Sequence, residues 1–314
     1  MPNTIRHYSQ VNDFTKKDFE EVLRRAKIFD VNGKDFTNVA PGKVLGLGFF
    51  QESTRTASGA ESAIIRLGGG WNGISSPAGS YVNIGEESME DTLDSLSDSA
   101  DILIVRHKSF DLTSYSKKAT IPLINGMCGG DEHSAGAVGM AYTLKKKLGD
   151  IDNLKIGFYG MVKSSRPAKA NIRLLAKYGA TFYVDPVVSE FDTPEFIRKE
   201  AEAAGAKFVS AKLEDFIGEV DFLNVIEGLP QPGEDPKVLE QYNKKFKIMG
   251  KKDFARVRKD AAFYYCMPAM MTDGRTIVNI AEADADSRCL SHAMLREWTP
   301  VMMALITYLL DIKV

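Results

Sequence analysis

Apolar positions recur along this chain in two alternating patterns. Short uninterrupted runs at 43–50 (KVLGLGFF), 101–107 (DILIVRH), 121–127 (IPLINGM) and 155–161 (KIGFYGM) have the length and continuity of strands buried on both faces. Runs at 181–186, 207–211, 221–226 and 263–268 repeat the signal. Between them lie stretches with helical character: 56–69, which stops in glycines, then 88–100, 134–149, 166–178 and 194–204, and a closing helix over 296–312. Strand–helix alternation of this kind predicts parallel sheets with helices on both faces. The fold class is therefore α/β, with two doubly wound parallel-sheet domains and a ligand cleft between them. The first domain is expected over 1–132, with the C-terminal helix of 290–314 packing back on it, and the second over 133–289.

In such sheets ligands collect outside the carboxyl ends of the strands. That rule brings residues 53–56, Arg106, His133, the turn at 161–166, Glu227 and Pro268 to strand ends or just beyond them. The convergence is the main clue to function, because no single one of these residues carries it. The stretch FFQESTRTASGAESA (49–63) is the richest part. A strand runs into a helix there, so backbone N–H groups and the helix dipole favour an anion. Ser53, Thr54 and Thr56 add hydroxyl donors, and Arg55 adds a planar fork suited to phosphate. A capped helix start with a surface arginine would use the same residue types. Likewise Arg106, His133 and Arg166, taken singly, read equally as a strand-end cation, a helix cap and a surface charge.

Composition narrows the classes. The chain has 314 residues, 44% of them hydrophobic, with 40 basic and 42 acidic residues well mixed and a net charge of −2. Neither a nucleic-acid partner nor a membrane partner is expected from that balance. Three cysteines, Cys128, Cys266 and Cys289, form no C-x-x-C pair, which predicts a reducing, cytoplasmic setting without disulfides. The segment 155–166 (KIGFYGMVKSSR) lacks G-x-G-x-x-G, and the chain carries no phosphate-binding G-x-x-x-x-G-K-[ST], no G-x-S-x-G elbow and no H-E-x-x-H pair. No cofactor and no metal are expected.

The S-T-R-T of 53–56, following an F-F-x-E strand end, resembles the carbamoyl-phosphate motif of the aspartate/ornithine carbamoyltransferase family. RLGG, ESMEDTLDSLS, the strand-end Arg106-His107, the helix start at His133 and DNLKIGFYG follow in that family's order, nearly end to end. The spacing is closer to aspartate-type chains, while the CMPA stretch at 266–269 is nearer the H-C-L-P of ornithine-type members. The resemblance implies that Ser53, Thr54, Arg55, Thr56, Arg106 and His133 bind carbamoyl phosphate, and that Arg55, Thr56, Arg106 and His133 form the catalytic set. It implies a second substrate, an amine, contacted by Arg166, Glu227, Met267 and Pro268. It also implies a homotrimer or higher assembly.

The departures lie mostly in the acceptor half. The family's H-P-T-Q is His133-Ser134-Ala135-Gly136 here, so its glutamine is missing. Residues 67–105 contain no Lys or Arg, although the family's mobile loop usually supplies a lysine. An arginine expected after the DFLNVI strand is Glu227, its glutamine partner is Leu229, and H-P-L-P is Tyr265-Cys266-Met267-Pro268. Three readings stay open on the sequence alone. One is a carbamoyltransferase acting on an amine other than aspartate. The second is an aspartate enzyme with a rewired site. The third is an inactive relative that binds phosphate-type ligands or serves as an assembly or regulatory subunit.

Overall fold

The computed structural model describes residues 5–31, 33–230 and 233–314. Two compact units emerge, Met1–Tyr142 with Arg296–Val314, and Thr143–Leu295. The elements of the first half of the chain are α1 (Lys16–Phe29), β1 (Val44–Phe49), α2 (Arg55–Arg66), β2 (Gly70–Ile74), α3 (Met89–Ser97), β3 (Ile102–Arg106), α4 (Leu112–Ser116), β4 (Leu123–Asn125) and α5 (Ser134–Leu148). There follow β5 (Lys155–Tyr159), α6 (Arg166–Ala176), β6 (Thr181–Asp185), α7 (Glu195–Ala203), β7 (Lys207–Ser210), α8 (Leu213–Phe216), β8 (Phe222–Val225), α9 (Pro236–Lys245), α10 (Lys251–Phe254), β9 (Ala262–Tyr265), α11 (Ile280–Asp284) and α12 (Ser291–Leu309).

The first unit holds a four-stranded sheet in the order β2-β1-β3-β4 and the second a five-stranded sheet in the order β7-β6-β5-β8-β9. Every ladder between these strands is parallel. The expected α/β class with two doubly wound parallel sheets is what the chain adopts. Both faces of β3 explain its unbroken apolar run. Leu103 and Val105 join a cluster with Phe50, Leu93, Leu112, Tyr115 and Leu123, and the alternate residues Ile102 and Ile104 are buried as well. Each such side chain contributes about 1.5–3 kcal/mol when taken from water. The second unit is built in the same way around Leu223, Val225, Phe263 and Tyr265.

Seven of these elements had no counterpart among the expected ones, the short helices α4, α8, α10 and α11 together with β2, α1 and α9. β2 reads Gly-Trp-Asn-Gly-Ile, a composition poor in strand formers, and it lies at an edge of its sheet. It is recruited by the ladder to β1, in the register Leu45↔Trp71 and Leu47↔Gly73. Gly73 fits because its φ is +100° and a Cβ there would stand 2.5 Å from the Leu47 carbonyl oxygen. α1 begins with a reciprocal cap between Thr15 and Asp18 and buries Phe19, Val22, Leu23, Ala26 and Phe29, a helical period that was legible. α9 starts at the equally ordinary signal Asp235-Pro236, the Asp235 carboxylate accepting from the Lys237 N–H at 2.8 Å.

Among the described residues no helix is long and apolar enough to cross a membrane, and no cluster of His, Cys, Asp and Glu is arranged to hold a metal ion. The three cysteines are unbridged; Cys128 and Cys266 are buried and Cys289 partly so.

Candidate functional site

In a doubly wound sheet the two connections leaving the central strands diverge at one point, and the crevice at that point is where ligands bind. In the first unit the point lies between β1 and β3, because β2 is on one side of β1 and β3 on the other. One residue predicted for the site, Arg106, flanks it. Phe49 and Arg106 are register partners at the carboxyl ends of β1 and β3. Four residues after Phe49, Ser53 opens the turn into α2, and its Oγ accepts the Ala57 N–H at 3.3 Å. Thr54 precedes the first helical residue and makes no side-chain cap. Thr54 and Arg55 are exposed, whereas Thr56 is buried. The turn therefore presents helix N–H groups, hydroxyls and a guanidinium on the outer side of the strand end.

Arg106 reaches across the same edge, its Nη1 donating to the Gly126 carbonyl at 3.4 Å. That carbonyl belongs to the turn after β4, which carries the chain toward His133. Asn125, buried at the end of β4, shapes that turn: its Oδ1 accepts the N–H groups of Met127 and Cys128 at 2.8 and 2.6 Å, and its amide donates to the Ser9 carbonyl at 2.7 Å. His133 immediately precedes α5, and its carbonyl accepts the Ala137 N–H at 3.0 Å. The buried Glu132 carboxylate accepts from the Val11 N–H at 2.8 Å and from the Ser134 hydroxyl at 2.7 Å, and the Tyr8 hydroxyl donates to the Ser134 carbonyl at 3.0 Å. The backbone on the carboxyl side of His133 is thus tied to the N-terminal segment. His107, beside Arg106, accepts two backbone N–H groups on Nδ1 at 3.1 and 3.0 Å, and burial lowers its pKa below the ordinary 6.5. Its Nδ1 serves the backbone of the loop that follows.

The second unit has its divergence point between β5 and β8. The turn after β5 reads Ser164-Ser165-Arg166-Pro167 and leads into α6. Ser165 caps that helix by accepting the Ala168 N–H at 3.3 Å, and its hydroxyl donates to Glu227 Oε1 at 3.1 Å. Glu227 follows β8. Its Oε2 is shielded from solvent and has no hydrogen-bond partner, and the Cys266 thiol lies within hydrogen-bond reach of the carboxyl group. Burial raises the Glu227 pKa above its ordinary 4.5, and the donors Cys266 and Ser165 together with the Arg166 charge pull it partly back. Glu227 is half-buried, with Oε2 turned from solvent. Met267 packs against the core of this unit, and Pro268, joined to it by a cis peptide, is exposed.

In the first unit residues 53–56 and Arg106 follow neighbouring strand ends, and His133 lies beyond the turn after β4. In the second, Ser165 joins Glu227 to the turn that carries Arg166, and Met267 and Pro268 follow β9. Two neighbours were missed. Ser165 had a local signal, since a serine two positions before a proline is a common helix start. Trp298, whose ring meets His133 edge-on at 5.9 Å and 64°, had none, because an aromatic in a mostly apolar terminal helix reads as ordinary core.

A doubly wound α/β chain with a hydroxyl-rich strand–helix turn at the divergence point of its first sheet is the class that the fold and this edge define. Residues 6–146 match the family model described as aspartate/ornithine carbamoyltransferase, carbamoyl-P binding domain. The chain is similar to the aspartate carbamoyltransferase catalytic subunit of Finegoldia magna, at 29% identity over 98% of this chain and 99% of that one. It is 34% identical to the corresponding subunit of Thermococcus onnurineus, over 76% of this chain and 78% of that one. Among solved structures, the catalytic subunit of M. jannaschii aspartate transcarbamoylase superposes with a TM-score of 0.83 at 25% identity, covering 98% of each chain. The chain belongs to the aspartate/ornithine carbamoyltransferase family.

Proposed function

We propose that this chain is an enzyme that moves the carbamoyl group of carbamoyl phosphate to the amine of an amino acid. The observation that carries the reading is the 53–56 turn into α2 beside the strand end that bears Arg106; His133, at the start of α5, is assigned with them. Relatives named as aspartate carbamoyltransferase catalytic subunits support it.

In this reading the α2 turn, with Ser53, Thr54, Arg55 and Thr56, holds the phosphate. Thr56, Arg106 and His133 donate to the carbamoyl oxygen. The lone pair of the amine attacks the carbamoyl carbon, and negative charge builds on that oxygen. The bond from carbon to the phosphate oxygen then breaks, phosphate leaves with the electron pair on the turn that held it, and the proton lost by the nitrogen passes to the departing phosphate. Each donor aimed at the developing oxyanion contributes about 3–4 kcal/mol to the transition state. The chemistry needs placed donors and a good leaving group, which these side chains can supply.

For the acceptor, Arg166 is the cation suited to a carboxylate, and Glu227 is suited to a group that donates hydrogen bonds. An amino acid with one carboxylate and an amine or amide end fits that pair. A second reading, aspartate itself, is supported by the names of the relatives; it requires the burial of Glu227 to keep its carboxyl neutral beside the second carboxylate. A homotrimer is the proposed assembly.

The test is phosphate release from carbamoyl phosphate with a panel of aspartate, asparagine, neutral amino acids and diamino acids. Release with a diamino acid or asparagine above aspartate supports the first acceptor reading, and aspartate as the best acceptor supports the second. No release with any amine, from protein that still binds phosphate, would overturn the enzymatic reading.

A further inference from the structure

The missing glutamine of the H-P-T-Q element leaves a glycine whose space is already filled. A Cβ on Gly136 would stand 3.0, 3.1 and 3.2 Å from Cγ, Cδ2 and Nδ1 of His133. The imidazole therefore lies on the backbone of the first turn of α5, where any side chain at 136 would press on it. On another side it meets Trp298 edge-on. Trp298 in turn lies on α2: a Cβ on Gly59 would fall 1.9 Å from its Cδ1 and 2.5 Å from its Nε1. Gly59 follows Thr56 by three residues, so the two share a face of α2. Trp298 is only 7% exposed, and its Nε1–H is buried without a hydrogen-bond partner. An indole held that way loses hydration and gains no bond in exchange, so hydrogen bonding is not what keeps it there.

We propose that Trp298 is a positioning residue, a wedge that sits on α2 at Gly59 and, together with Gly136, fixes the orientation of the His133 imidazole relative to the 53–56 turn. The inference rests on the role proposed above for His133. It assigns a function to one departure from the family pattern and to a buried indole at once: the side chain given up at 136 makes room for the ring, and the indole closes on the ring from the helix that starts at Ser291. The backbone beside the ring is held independently by Glu132 and Tyr8, so the wedge acts on the orientation of the imidazole alone.

The experiment compares Trp298→Phe, Trp298→Leu and Gly136→Ala with the parent enzyme. It reads kcat and KM for carbamoyl phosphate, phosphate binding by calorimetry, and the 15N resonances of the His133 ring. Trp298→Leu and Gly136→Ala are expected to lower kcat at least about tenfold, change KM less than about threefold, retain phosphate binding and shift the His133 resonances. Trp298→Phe, which keeps an aromatic edge on the imidazole while losing packing volume, should recover most of kcat. Unmoved His133 resonances in Trp298→Leu, a kcat within twofold of the parent, or an equal loss in Trp298→Phe would each overturn the proposal. Should Trp298→Leu fail to fold, Gly136→Ala and Trp298→Phe decide the matter by the same readouts. Should the parent release no phosphate with any amine, the reading of the reaction fails, and the ring resonances still judge the wedge.

Discussion

The two units use the same turn for opposite electrostatic ends. In each, the first central strand runs through a Ser-x-Arg or Ser-Arg turn into a helix: Ser53-Thr54-Arg55-Thr56 after β1, and Ser164-Ser165-Arg166-Pro167 after β5. Across the divergence point the first unit sets a cation, Arg106, and the second sets an acid, Glu227. The consequence shows in what the serines do. Ser53 accepts a helix N–H, and no carboxylate of its own unit is bonded to it. Ser164 and Ser165 donate to Glu234 at 3.0 Å and to Glu227 at 3.1 Å. The first edge carries hydroxyls and two arginines, Arg55 and Arg106, which are groups of the kind that suit an external anion. The second already holds its anions and suits a partner rich in donors. A turn of this kind sets where a ligand sits, and the residue facing it sets which charge the ligand carries.

The harshest way to break the comparison is to discharge the first edge. Arg55→Ala should lower phosphate release at least a hundredfold and abolish the rise in Tm with phosphate. In the parent, ligand at about 100 times Kd adds about 2.7 kcal/mol to stability. A Tm rise that survives the substitution would mean that the anion binds elsewhere.

The comparison is sharpened by neutralising the acid of the second. Two unit charges about 4 Å apart at an effective dielectric of about 20 interact by about 4 kcal/mol, or roughly three decades of affinity. If Glu227 is charged beside the acceptor, Glu227→Gln should lower KM for aspartate relative to a diamino acid by up to that factor. An unchanged ratio would mean that Glu227 is neutral when the acceptor binds. The same variant has a pH signature. Burial raises the Glu227 pKa above 4.5, so the folded chain holds a proton that the unfolded chain releases. That stability is fully present below the unfolded value and is lost as pH rises through the folded value. Glu227→Gln should therefore raise Tm at neutral pH and change it little near pH 4, as a series of thermal melts would record.

The smallest effect concerns the hydroxyl joining cap and acid. Ser165→Ala removes the cap of α6 and one donor to Glu227, a loss of about 1 kcal/mol typical of caps. Chemical denaturation should give a larger loss at pH 8 than at pH 5, because the missing donor matters most to the charged carboxylate. An equal loss at both values would reduce the serine to a cap.

The amino-acid sequence was enough for the class and for the eight strands that carry continuous apolar runs. Continuous apolar runs can only be strands covered on both faces, and a strand–helix turn rich in hydroxyls exposes donors whatever surrounds it. It was not enough for β2, whose Gly-Trp-Asn-Gly-Ile becomes a strand only because the edge of β1 offers unpaired backbone. Nor did it fix the state of Glu227. A charge read from sequence faces either water or protein, and here the chain folds Ser165 and Cys266 against the carboxyl group and raises its pKa. The partners of His133 were hidden for the same reason: Gly136 is three residues away, but Trp298 is 165 positions along the chain (298 − 133). Periodicity records how each segment divides its faces between protein and water. Which distant side chain arrives at a given face is set by the packing of whole elements, and that was decided only in the tertiary structure.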